Sequence, residues 1–185
     1  MKRLTLSVIA GAALAWAGWA LVVRAHHLSF VPEAMNVSWI SYVAEESWGF
    51  GPGGNETGII VYPMPDALKD GLSDGGIAWL AAMPPNKASG WQGRYADWHE
   101  TPFPAPDDPD DLNIWDGESR EESCGHGAGI ARYMFRYGFC IPFDRGIEAM
   151  VNTALAAPGS YYAFGRIGMI VLIPAENRIV YAYNG

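Results

Sequence analysis

"RIGMIVLIPAENRIVYAYNG", residues 166–185, decides the fold class. From Gly168 to Ile173 neither alternating set of side chains contains a polar group, so a strand there must be covered on both faces and lie inside a sheet. Ala175-Glu176-Asn177 makes a short turn, and "RIVYAYNG" resumes as a second strand. A turn that short joins neighbours antiparallel. Upstream, "NVSWISYVA" (36–44) places Val37, Trp39, Ser41 and Val43 on one face, and with "TGIIVYPM" (57–64) it predicts two more strands.

Helical signals lie between these strand segments. "PDALKDGLSDGGIAWLAAMPP" (65–85) predicts a helix interrupted at Gly71 and Gly75-Gly76 and ended by Pro84-Pro85. "AGIARYMFRYG" (128–138) sets Ile130, Tyr133, Met134 and Tyr137 on one stripe. "DRGIEAMVNTALAAPG" (144–159) is capped by Asp144 and ended by Pro158-Gly159. The expected fold is α+β, an antiparallel or mixed sheet with helices packed on it, preceded by one hydrophobic N-terminal helix. Trp39 and Trp79 are expected in the core.

Residues 1–27 read as a signal-anchor or signal peptide, and 28–185 as a single exported α+β domain. Leu4 to Val23 is an uncharged run of twenty residues between Lys2-Arg3 and Arg24. At ~1.5 Å per residue such a run reaches across a bilayer core of ~30 Å, so the expectation is a single-pass anchor through residues 4–23. The positive-inside bias puts the N-terminus in the cytoplasm and the domain outside. The small residues at Ala15-Trp16-Ala17 and Val23-Arg24-Ala25 keep open the alternative of a cleaved signal with a secreted or periplasmic product.

Beyond the leader stand nine basic against twenty acidic residues, a net charge of −11. A chain this acidic is repelled by polyanions, which excludes nucleic acid as the expected partner. No cofactor is implied.

The only two cysteines lie in "CGHGAGIARYMFRYGFC" (124–140). In an oxidising compartment the favoured reading is a Cys124–Cys140 disulfide, worth about 3 kcal/mol for a loop of this size. A helix between them separates its ends by ~15 Å, so the flanking glycines would have to curl the chain back to within ~7 Å. The competing reading is a cell-envelope cysteine hydrolase. There Cys124 precedes a helix whose dipole favours the thiolate, and His99 in "ADWHET" acts as base, oriented by Asp97 or Glu100. His126, two residues from Cys124, would need an unusual turn to serve. No spacing matches a structural zinc pattern, so no metal is expected.

Residues 84–122 form a polar, proline-punctuated excursion that contains Trp91, Trp98 and Trp115. Aromatic side chains in such a setting are hard to explain by packing, and they are the candidate partner-binding residues, with an unknown protein, peptide or glycan as partner. The eight carboxylates of 107–122 fail the positional rule of a calcium loop and read as a solvated acidic tract. "WGFGPGGNE" (48–56) has the glycines of a phosphate cradle but no Lys-Ser/Thr after them, and reads as a surface loop. The function expected from these features is a membrane-tethered or secreted binding domain, with the hydrolase as alternative.

Overall fold

The computed structural model describes residues 2–48, 55–104, 125–126, 129–136 and 139–185. The fold is α+β. Six strands make one antiparallel sheet: β1 (Tyr42–Trp48), β2 (Asn55–Pro63), β3 (His99–Glu100), β4 (Tyr161–Phe164), β5 (Gly168–Ile173) and β6 (Arg178–Asn184). Their order across the sheet is β1-β2-β6-β5-β4-β3. Among the described residues the α-helices are α1 (Lys2–Ser29), α2 (Asp66–Ala81), α3 (Ile130–Phe135) and α4 (Arg145–Ala156).

The closing hairpin behaves as its residues require. β5 and β6 pair from Gly168 opposite Tyr183 to Ile173 opposite Arg178, and every residue of β5 is buried. The sheet has an apolar layer on each face, which is why its central strands lack polar alternation. Ile59, Val61, Met169, Val171, Val180 and Ala182 turn toward α3 and α4. Ile60, Tyr62, Ile170, Leu172, Ile179 and Tyr181 turn toward α2 and Phe30 at the end of α1. Burial of each such aliphatic side chain stabilises the fold by ~1.5–3 kcal/mol. Asp144 caps α4, its carboxylate accepting from the Ile147 amide at 3.0 Å.

α1 runs unbroken through the boundary expected at residue 27, and its last turns are tied to the sheet. His27 Nε2 lies 3.0 and 3.1 Å from the two Glu45 carboxylate oxygens, Tyr183 donates to Glu45 at 2.8 Å, and Tyr62 donates to the His27 carbonyl at 2.6 Å. The hydrogen bond to His27 holds the Glu45 carboxyl below its usual range, against the opposing effect of burial, and Tyr183 adds to the lowering. Phe30 then stacks on Tyr181 at 4.7 Å.

Four expectations are corrected here. No helix among the described residues is long and apolar enough to cross a membrane, which overturns the single-pass anchor of residues 4–23 and the localisation built on it. Twelve of the twenty residues from Leu4 to Val23 are Ala, Gly, Ser, Thr or Trp. Absence of charge is a weaker criterion than the Leu, Ile, Val and Phe content that drives insertion. The Cys124–Cys140 bridge is not supported as a feature of the described residues: Cys124 lies outside them, so no complete disulfide is found among them, although Cys140 is not a free thiol. β1 begins at Tyr42 instead of Asn36, because Asn36 closes a one-turn 3-10 helix in the left-handed conformation, φ 53°. Trp39 then falls in the irregular stretch before β1 and is 63% exposed.

Candidate functional site

The excursion that follows α2 builds a cleft. α2 is kinked at Gly76 (φ 51°, ψ −131°), as the glycine run implies. Gly71 and Gly75 have a packing reason to lack a side chain: a Cβ at either would stand 2.3 or 2.8 Å from Trp79, which folds back along the helix. The second half of α2 thereby presents Ile77, Leu80 and Ala81 as one wall.

The opposite wall is a clipped loop. Asn86 accepts from the Glu33 amide at 2.8 Å and donates to the Gln92 carbonyl at 3.1 Å, while the Glu33 carboxylate accepts from the Lys87 and Ala88 amides. Arg94 donates to the Ala88 carbonyl at 2.6 Å. Gly93 (φ +64°) passes so close to the chain at Ser29 and Val31 that a Cβ would meet both carbonyls at 2.8 Å. Tyr95 donates to the Phe30 carbonyl at 2.7 Å and packs against Trp98 with rings 5.9 Å apart. Between the walls lies a cleft of about 620 Å³, with Leu80 and Trp98 buried, Met83, Pro84 and Pro85 apolar beside them, and Asn86, Arg94 and Asp97 as polar members of the lining.

The three tryptophans assigned to binding are thus not equivalent. Trp98 is only 8% exposed and belongs to the apolar layer beneath α2. Trp91 is half-buried, tilted against Phe30 at 6.0 Å. Trp115 lies outside the described residues, as does the acidic tract 107–122.

Cys124 lies outside them as well. Its proposed base, His99, sits exposed on the two-residue edge strand β3 and stacks on Tyr162 at 5.2 Å. Trp98 and His99 therefore belong to opposite faces of the sheet. Among the described residues no hydrogen bond joins His99 to Asp97 or Glu100. Asp97 instead adopts φ 50° and lines the cleft.

A polar cluster that no sequence motif marks lies under α4. His126 Nδ1 is 2.9 Å from Glu148, and Arg145 donates to the same carboxylate oxygen at 2.7 Å and to the Gly125 carbonyl. His126 lies flat on Phe143, rings 4.4 Å apart and 6° from parallel. Burial pushes the Glu148 carboxyl up, but the hydrogen bonds from Arg145 and His126 outweigh it and hold the group below its usual range. One signal in the sequence could have found it: Glu148 shares the apolar stripe of α4 with Val151 and Leu155, at i+3 and i+7, where a carboxylate needs a partner.

Among the described residues no group of three or more His, Cys, Asp or Glu side chains is arranged to hold a metal ion. Comparison with protein families, with curated proteins and with solved structures finds no match for this chain.

Proposed function

We propose that the protein is a binding module that takes an apolar side chain of a protein or peptide partner into the cleft between α2 and the 83–98 loop. The observation that carries this reading is the cleft itself: about 620 Å³, lined by Ile77, Leu80, Ala81, Met83 and Trp98, with Asn86, Arg94 and Asp97 as its polar side chains. That size and lining match the sites in which one buried anchor dominates affinity. A glycan is the weaker fit, because sugar stacking needs an open aromatic face and Trp98 is nearly covered. The net charge of −8 favours a basic partner during encounter. Hydrolysis through Cys124 and His99 draws no comparable support, since Cys124 lies outside the described residues.

The test uses 8-anilinonaphthalene-1-sulfonate as an apolar probe, followed by amide and indole NMR shifts. Binding should perturb the Trp98 indole and the amides of 93–98, and Ala81→Trp, which fills the cleft from an exposed position, should abolish the effect while leaving the melting temperature unchanged. Perturbation confined to other regions, or insensitive to Ala81→Trp, rejects the cleft as the binding site.

A further inference from the structure

The opposite end of the sheet carries a second surface. β1 is the outermost strand, and among the described residues no strand pairs with its outer edge. It is seven residues long and pairs with β2 in unbroken register from Tyr42–Val61 to Trp48–Asn55. Proteins blunt edges of this length with charged side chains, lysine above all, with proline or with a bulge. β1 has no lysine, proline or bulge, and no Lys or Arg occurs between Arg24 and Lys69, so its only charges are the carboxylates of Glu45 and Glu46, with Glu56 in the neighbouring strand. Beside β1 on the α1 face runs a mostly apolar groove of about 380 Å³, lined by Trp19, Val23, Trp39 and Val43, with Arg24 and His27 also in its lining; Arg24 donates to the Ser38 carbonyl and His27 is paired with Glu45.

The geometry points to β1 as a docking edge for an extended partner segment that alternates apolar and basic residues and adds to the sheet as a seventh strand. Main-chain pairing supplies affinity without regard to sequence, and the side chains supply selectivity. Those facing α1 would enter the Trp19–Trp39 groove. Basic ones on the other face would lie against the exposed Glu46, Glu45 being already engaged by His27 and Tyr183. A second copy of the chain is the obvious rival occupant, but a two-fold antiparallel pairing centred on the strand sets the Glu45–Glu46 carboxylates of one copy against those of the other, and like charges across strands oppose pairing. A lysine- or arginine-bearing strand reverses that sign.

The probe is an acetylated heptapeptide alternating lysine and valine, titrated into the full chain by fluorescence anisotropy with amide hydrogen exchange as the map. It should bind and protect amides of β1. Glu46→Lys should weaken it at least tenfold without lowering the melting temperature, and the glutamate–valine counterpart should not bind at the same concentrations. Ala81→Trp should leave it untouched, which separates this edge from the cleft. No binding at millimolar peptide, equal binding of the glutamate peptide, or protection elsewhere overturns the proposal. A concentration-dependent dimer that protects β1 also overturns it, giving the edge to a second copy.

Discussion

Removing the Glu148 carboxylate should be among the costlier single changes to this fold. The side chain is 8% exposed and accepts from both His126 and Arg145. Glu148→Ala strands His126, 4% exposed at its side chain and pressed flat on Phe143, without an acceptor for Nδ1. A buried polar group left unpaired costs ~1–3 kcal/mol, and the lost charge-assisted bond puts this site at the upper end of that range. Arg145 adds little, because its side chain is 55% exposed and its half of the interaction is screened by water, ~0–1 kcal/mol. The expected loss is therefore about 3 kcal/mol, which for a chain of this size is a drop of roughly 6–12 °C in melting temperature.

Urea unfolding followed by tryptophan fluorescence measures it. Glu148→Gln keeps an acceptor for His126 and should cost less. In the His126→Phe background Glu148→Leu should be far milder than Glu148→Ala is alone, because an apolar pair leaves no orphaned group. The pH dependence follows from the lowered carboxyl. Stability from Glu148 is fully present above its ordinary value of 4.5 and is lost as pH falls through its lower folded value, so the difference between wild type and Glu148→Gln should shrink only in acid. A loss under about 1 kcal/mol for Glu148→Ala, or additive effects at His126 and Glu148, would refute the claim that the two act as one buried unit.

Two further outcomes are expected. Trp98→Ala should destabilise the protein by ~3–5 kcal/mol in thermal unfolding, as for other large core truncations, whereas a surface aromatic would cost almost nothing. Asp144→Ala should remove the cap of α4 at a cost of about 1 kcal/mol in urea unfolding, and Asp144→Asn or Asp144→Ser should restore most of it.

The parts of the fold that were legible are those in which a local pattern and its tertiary setting agree. The run from Gly168 to Ile173 could be placed centrally from its residues, because continuous hydrophobicity has one outlet in a sheet, burial on both faces. Asp144 and the glycine break in α2 were equally readable, since caps and kinks are short-range effects. β4 was missed although "YYAF" follows the Pro158-Gly159 stop directly: four residues are too few to show a period. The strand expected at 36–44 slid six residues because Asn36 takes the left-handed conformation, and no pattern of hydrophobicity records the sign of φ. The leader shows the opposite error, in which one property, lack of charge, stood in for hydrophobicity.

The site was legible only as a region. The described start of the excursion, up to Trp98, lines the cleft, but polarity averaged over forty residues says nothing of where one indole goes. Asp97 at φ 50° and the two-residue pairing of β3 with β4 send Trp98 under α2 and His99 to the other face. The tryptophan with polar neighbours in sequence is therefore covered by Tyr95, three residues before it, and by the distant α2 face. The same reasoning explains why Glu148 is not legible as one of a pair: His126 is twenty-two positions away, with α3 between them, and no local period links the two. Buried polar pairs of this kind leave one trace in a lone chain, a charged residue on an otherwise apolar stripe. In α4 that trace is a single carboxylate, and the unfolding of Glu148→Ala decides whether it marks a partner that the fold depends on.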